Sequence, residues 1–447
     1  MPLRYQLVII GTGQAASPLA EGLVEKGWSV AVVERSSPGG SCVNFGCTPT
    51  KAAVWTARVH NLAKRAADYG LEVTAAPPDL ERIYVKIREI VALSVKGVRS
   101  EFGENPVLIA GEAKLLGREG NGFRIGVGDQ ELVAERVVVN TGTRSIIPPI
   151  PGLEDAGYLT AENWLEDGKL PRRLTIVGGG YIAAEMGQFY ARMGSEVTII
   201  EKGGQLLTRE DKEVGDSICD ILTSEGVQLR YNMNVERVEP EGNAWRLICG
   251  EETVGADSIF VATGRKPNTD GIGLEEIGVE LDKKGFANVD EHSETAVTGL
   301  YVAGDARGGP MFTHTAWDDG RVILTHLVGG GRPTTDRVVP YAIFTDPQLG
   351  RVGLSEKEAK EKGIDYEVRR FDLKHNGIAQ ATRQTNGYVK VLVSGEKILG
   401  ATVLAPEGAD LAQLFSVFVA CGISAAEFRK LLVTHPTWSE AAQTAIL

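Results

Sequence analysis

The chain has 447 residues, 43% hydrophobic and 24% charged, the proportions of a soluble globular protein too long for one core; about three domains are expected. Its 47 basic and 59 acidic residues leave a net charge of −12, which argues against a nucleic-acid or anionic-membrane partner. No apolar run reaches the ~18 residues of a membrane helix, and five cysteines are too few for a disulfide framework.

Tyr5 to Ile10 predicts a short buried strand. The N-terminus enters it directly, without a signal-peptide core, so a cytoplasmic location is expected. Gly11-Thr12-Gly13-Gln14-Ala15-Ala16 follows, then a helix to Lys26 and a second strand from Ser29 to Val33, ending at Glu34. Strand, G-x-G-x-x-A, helix, strand and acid is the dinucleotide-binding pattern. Gly11 and Gly13 allow the tight turn and the close approach of a pyrophosphate to the helix N-terminus, with Ala16 closing the motif. Glu34 is placed to accept hydrogen bonds from a ribose diol.

The next segment is Gly39-Gly40-Ser41-Cys42-Val43-Asn44-Phe45-Gly46-Cys47-Thr48-Pro49-Thr50-Lys51. A metal site would want C-x-x-C spacing and a second ligand pair, so no metal ligand set is read here or elsewhere. The glycines let backbone approach something flat and large. A dithiol that closes into a disulfide stores two electrons; with so few cysteines, a Cys42–Cys47 disulfide would be a working one. Cys219, Cys249 and Cys421 stand alone and read as structural.

Helices are expected around Thr50 to Tyr69 and Leu80 to Phe102. Leu174 to Val177 predicts a strand, Gly178-Gly179-Gly180-Tyr181-Ile182-Ala183 a second turn, and Ser195 to Ile200 a strand ending at Glu201. One such unit is weak evidence; two complete units, each with its acid, point to two dinucleotides. Glu201 prefers a free 2′-hydroxyl, which favours NADH. Lys202 and Arg209 are cations able to accept a 2′-phosphate, so NADPH stays in view. Beyond, Tyr341 to Gly353 and Tyr388 to Val393 read as antiparallel strands, and Asp410 to Cys421 and Ala425 to Leu432 as helices.

Along nearly its whole length the chain resembles the flavoprotein disulfide reductases: dihydrolipoamide dehydrogenase, glutathione reductase and mercuric reductase. The resemblance rests on both nucleotide units, the C-V-N-F-G-C-T-P-T-K segment, Asn140-Thr141-Gly142-Thr143-Arg144 and Ala262-Thr263-Gly264-Arg265-Lys266-Pro267-Asn268. Leu300-Tyr301-Val302-Ala303-Gly304-Asp305-Ala306 and His435-Pro436-Thr437-Trp438-Ser439-Glu440 complete it. It implies an α/β fold: two Rossmann-like dinucleotide-binding domains and a C-terminal α+β dimerisation domain. An FAD domain is expected over 1–148, an NAD domain over 149–265, a return to the FAD side over 266–334, and an interface domain over 335–447.

FAD is implied in the first site and a nicotinamide in the second. Ser41, Gly40, Thr141 and Gly142 would border the flavin, Asp305 would hold its ribitol, and Gly178, Gly180 and Gly264 would shape the nicotinamide site. Thr141 and Thr263 look like the crossings between domains. By the same resemblance Cys47 is the flavin-proximal thiol and Cys42 the interchange thiol. Lys51 and Glu185 are a buried pair beside the flavin, and Tyr181 is the ring covering the nicotinamide pocket. His435 is the base, reaching the cysteines from the other subunit of a homodimer with Glu440 fixing its tautomer, and a cis bond is expected before Pro436. His314, at a helix start facing the flavin, either contacts the ring or caps the helix.

Mercuric reductases carry a C-terminal cysteine pair, and this chain has no cysteine after Cys421. Dihydrolipoamide dehydrogenases have a second histidine where Val433 stands. The stretches from Leu207 to Asp211 and from Phe312 to Asp319 resemble the mercuric-reductase-like branch, which includes reductases of copper and reactive-chlorine stress. The primary expectation is an NAD(P)H-dependent reductase of a small disulfide. The alternative is a metal-ion or oxidant reductase using the same thiols, and a third class, a redox sensor, is disfavoured by the intact set Cys42, Cys47, His435 and Glu440.

Overall fold

The computed structural model describes residues 2–166, 168 and 170–447. Its first sheet is built on strand Leu3–Ile10, whose run Leu7, Val8 and Ile9 is wholly buried. Such a continuous apolar run suits a strand covered on both faces. Val30–Glu34 and then Val107–Ala110 lie parallel on one side of it, and Gln130–Val139 lies parallel on the other. The far end of that long strand pairs with Leu300–Val302, so the sheet is completed only after some 160 intervening residues. Antiparallel strands Gly122–Val127 and Ala113–Glu119 extend the sheet.

A second parallel sheet fills that interval, in the order Gln228–Arg230, Glu196–Ile200, Arg173–Val177, Ser258–Val261. The two sheets repeat one local design. Gly11 N–H donates to Val33 at 2.8 Å, and Gly178 N–H donates to Ile200 at 2.8 Å. Asn140 N–H donates to Ile10 and Ala262 N–H to Val177, again both at 2.8 Å. Each first glycine has positive φ, and a Cβ on it would lie 2.4 Å from the carbonyl oxygen of Asn140 or Ala262. Only glycine fits these two places. The chain crosses between the sheets through Thr143–Ser145 and Arg265–Pro267, which form a short antiparallel pair.

The C-terminal part is a five-stranded antiparallel sheet, ordered Tyr341–Ile343, Gln348–Gly353, Lys397–Ala405, Tyr388–Ser394, Glu367–Asp372, with helix Gly408–Cys421 packed on it. The expected strand over 341–353 is two strands, interrupted at Phe344–Pro347, where the Asp346–Pro347 bond is cis and proline supplies no ladder N–H. The helix expected from Thr50 begins at Cys47 and ends at Lys64, with a 3₁₀ turn over Ala66–Tyr69. The helix expected over 425–432 stops at Arg429. Among the described residues no helix is long and apolar enough to cross a membrane.

Candidate active site

One cleft of about 2970 Å³ takes in both fingerprint turns, Cys42 and Cys47, and lies along the inter-sheet crossings. The cysteines are brought together by a tight turn. Cys42 lies on the one-turn helix Gly40–Asn44 and Cys47 opens helix Cys47–Lys64. Between them Phe45 N–H and Gly46 N–H both donate to Ser41, at 3.1 and 2.6 Å, which folds the second helix back against the first. A Cβ at Gly46 would meet that same Ser41 oxygen at 2.8 Å. Gly40, at φ +62°, packs on the Cα of Gly13, so the thiols are fixed directly to the first fingerprint turn.

The dithiol is unequal. The Cys42 thiol donates to Cys47, and despite burial the Thr313 hydroxyl, 3.1 Å from its sulfur, and Lys51 help pull the Cys47 thiol down to about 6. A place at a helix N-terminus acts in the same direction. The same hydrogen bond, together with burial, pushes the Cys42 thiol far up. Cys47 is the thiolate of the pair and Cys42 the thiol. One turn along, Lys51 Nζ meets Glu185 at 2.8 and 3.0 Å. Glu185, 2% exposed on helix Tyr181–Met193, also accepts from Phe344 N–H at 2.7 Å, so its buried charge is fully partnered.

The first fingerprint forms a cradle. Asn140 Nδ2 donates to the carbonyls of Gly13 and Gly11, at 2.9 and 3.2 Å, holding the turn open. Ala16 is buried where the helix meets the sheet. Glu34 accepts from Thr12 N–H at 3.0 Å, from its hydroxyl at 2.6 Å and from Ser36 N–H at 2.9 Å; a carboxylate has lone pairs left for a diol. Thr141 donates to Asn268 at 2.7 Å, and beside Gly142 a Cβ would meet no protein atom. Asp305 accepts from Thr143 at 3.0 Å; burial pushes its carboxyl up, and the Thr143 hydroxyl and Arg265 oppose this.

In the second unit Glu201 accepts from Gly179 N–H and Gly203 N–H, each at 2.6 Å. A Cβ on Gly180 would meet no protein atom, which leaves the space a pyrophosphate needs. Tyr181 opens the following helix, 43% exposed, and lines the cleft together with Gly264. These residues fit FAD along the first turn and a nicotinamide nucleotide along the second. His314 lines the cleft, stacked on Phe312 at 5.4 Å and hydrogen-bonded to the Pro340 carbonyl, so it does not cap the helix.

His435 is not brought to the cysteines of its own chain. It is absent from the cleft lining and its side chain is 75% exposed, with a cis bond joining it to Pro436. Its Nδ1 lies 2.8 Å from Glu440, whose other oxygen accepts from Thr437 N–H at 2.8 Å. The imidazole and this N–H hold the Glu440 carboxyl below its usual range, so Nδ1–H donates and Nε2 is left to take a proton. Sequence reasoning missed Thr313, Thr143 and Asn140 as contacts of these residues; each meets its partner across more than 100 residues of chain, which no motif spacing encodes.

These features define a pyridine nucleotide-dependent, FAD-containing dithiol enzyme. The family model for pyridine nucleotide-disulphide oxidoreductases matches residues 5–320, and that for their dimerisation domain matches 339–446. The chain belongs to this family, whose members are FAD-dependent and use NAD(P)H. A mercuric reductase of Lysinibacillus sphaericus is 33% identical over 99% of the chain and 82% of that protein. A probable pyridine nucleotide-disulfide oxidoreductase, RclA of Escherichia coli, is 31% identical over 98% of this chain and 97% of its own. The solved Cu(II) complex of RclA, an HOCl-induced flavoprotein disulfide reductase, covers 99% of both chains with a TM-score of 0.90.

Proposed function

We propose that the enzyme carries two electrons from a nicotinamide nucleotide, NADH in preference to NADPH, to the Cys42–Cys47 disulfide and on to a small disulfide, working as a homodimer. The observation that carries this is the dithiol itself, Cys42 beside Cys47 at a helix start, with the Cys47 sulfur 3.1 Å from the Thr313 hydroxyl in the cleft shared by both fingerprint turns. FAD, when bound, supplies the two-electron relay between the nicotinamide and the disulfide. Residues 1–148 and 266–334 would form the FAD domain, 149–265 the NAD domain and 335–447 the interface domain, a division the sheet pairing supports.

Reduction of the disulfide takes up two electrons and one proton, leaving Cys47 as thiolate and Cys42 as thiol. His435 of the partner subunit takes the Cys42 proton, and Glu440 stabilises the imidazolium so formed. The Cys42 thiolate attacks one sulfur of the substrate disulfide; the other leaves as a thiolate and takes the proton from the imidazolium. Cys47 then attacks the Cys42 sulfur, closing the disulfide and expelling the second product thiolate, which is protonated by solvent. Lys51, neutralised by Glu185, keeps a cation near Cys47. Glu34 and Asp305 would hold the flavin nucleotide, Tyr181 would cover the nicotinamide, and Glu201 would accept its 2′-hydroxyl. The dimer is supported by the matched dimerisation domain and by exposed Trp55, Val59, Leu431 and Leu432, of which the last two lie close to His435 in sequence.

A second reading, reduction of a metal ion or oxidant by the same thiols, draws support from the likeness to mercuric reductases and to RclA, solved as a Cu(II) complex and described as HOCl-induced. The test is anaerobic oxidation of NADH and NADPH against lipoamide, glutathione disulfide, mercuric and cupric ions, with wild type and Cys42→Ser. Turnover of a disulfide that Cys42→Ser abolishes is expected. Turnover with metal ions alone would contradict it and favour the second reading.

A further inference from the structure

Asp305 is not held by its own loop alone. Its Oδ2 is 3.0 Å from the hydroxyl of Thr143, a residue 4% exposed on the strand leaving the first crossing. That hydroxyl is also 2.8 Å from Nε of Arg265, whose Nη2 donates to the Thr143 carbonyl at 2.8 Å. Arg265 comes from the second crossing, and its remaining nitrogen pairs with Glu162 at 3.2 Å. Glu162 in turn accepts from the Ser145 hydroxyl at 2.6 Å and from its N–H at 3.1 Å.

The proton positions in this chain follow from chemistry. A guanidinium only donates, so Thr143 Oγ1 accepts from Arg265. A hydroxyl has one proton, and among the described residues the acceptor it faces is Asp305. Oδ2 of Asp305 is therefore an acceptor, and a hydrogen bond given to the charged form favours the carboxylate against the burial that pushes the carboxyl up. One carboxylate oxygen is then occupied, and the other, with no hydrogen bond among the described residues, can accept from a hydroxyl of the flavin nucleotide.

We propose that Thr143, oriented by Arg265, is a positioning residue for the flavin site: its hydroxyl donates to Oδ2 of Asp305 and turns the carboxyl so that the other oxygen accepts a ribitol hydroxyl. This rests on the reading of Asp305 as the ribitol acid. Because Arg265 ends the segment carrying the second nucleotide unit, the relay ties flavin binding to the docking of that segment.

The test is the dissociation constant of FAD for the purified protein, read by flavin fluorescence on titrating the flavin-stripped enzyme, with no turnover involved. Thr143→Val keeps the shape and removes the hydroxyl; it should weaken FAD by about ten- to a hundredfold, the scale of one hydrogen bond to a charged group. Thr143→Ser, which keeps the hydroxyl, should stay within about threefold of wild type, and Arg265→Met should weaken FAD by less than Thr143→Val. Thr143→Val added to Asp305→Asn should cost nothing further beyond Asp305→Asn alone. A Thr143→Val protein that binds FAD like wild type, a Thr143→Ser protein as weak as Thr143→Val, or additive losses in the double variant would overturn the proposal. If Asp305→Asn alone leaves FAD affinity unchanged, it is the reading of Asp305 that falls.

Discussion

At the scale of single residues, the chemistry turns on one sulfur. Cys47 opens an 18-residue helix, faces the Thr313 hydroxyl and accepts from Cys42, and these together bring it down to about 6. Because the thiol is pulled down, its thiolate persists above that pH and is lost as pH falls through it. Alkylation of the reduced enzyme by iodoacetamide should therefore titrate with a midpoint near 6. Thr313→Val should move the midpoint up by about one pH unit, the worth of one charge-assisted hydrogen bond. An unmoved midpoint would mean that the hydroxyl does not hold the sulfur. The cysteine pair itself was legible in the sequence because a five-residue spacing is local. Thr313 stands 266 residues away, and only the fold brings it to Cys47.

At the scale of elements, the second fingerprint turn makes opposite use of two of its glycines. Gly178 has φ +110° and faces the Ala262 carbonyl, whereas Gly180 has φ −82° and faces open space. Gly178→Ala should destabilise the fold by about 1–3 kcal/mol through backbone strain alone. Gly180→Ala should leave the melting temperature unchanged and weaken nicotinamide-nucleotide binding roughly tenfold. Thermal unfolding beside nucleotide titration checks both, and a Gly180→Ala protein with normal affinity would contradict the site. These turns were legible because each motif lies within one strand-turn-helix unit. The C-terminal sheet was less so. Strand Glu367–Asp372 sits at the sheet edge, where charged residues interrupt the alternation, and Lys397–Ala405 is apolar on both faces, a pattern that does not separate strand from helix.

At the scale of the whole molecule, the segment after Glu201 is fixed to the C-terminal sheet by buried charge. Lys390, 1% exposed, meets Asp211 and Glu356 at 3.0 Å each and also Glu213, while Arg351 meets Glu210 at 3.0 Å. Glu210 accepts from Tyr341, whose ring stacks on Phe312 at the start of the helix carrying Thr313. The nucleotide loop, the C-terminal sheet and the thiol site are thus joined by one run of contacts. His435 and Glu440 form an oriented pair outside the lining of their own chain's cleft, and the proposed reaction therefore takes its base from a second copy of the chain. The most direct test is a heterodimer of Cys42→Ser and His435→Ala chains, purified through two different tags and assayed with its fastest acceptor. Each parent homodimer should be nearly silent, His435→Ala by about 10²–10⁴-fold. The heterodimer holds one intact site and should recover about half of wild-type activity if the base crosses between subunits. A heterodimer as silent as its parents would contradict the shared site.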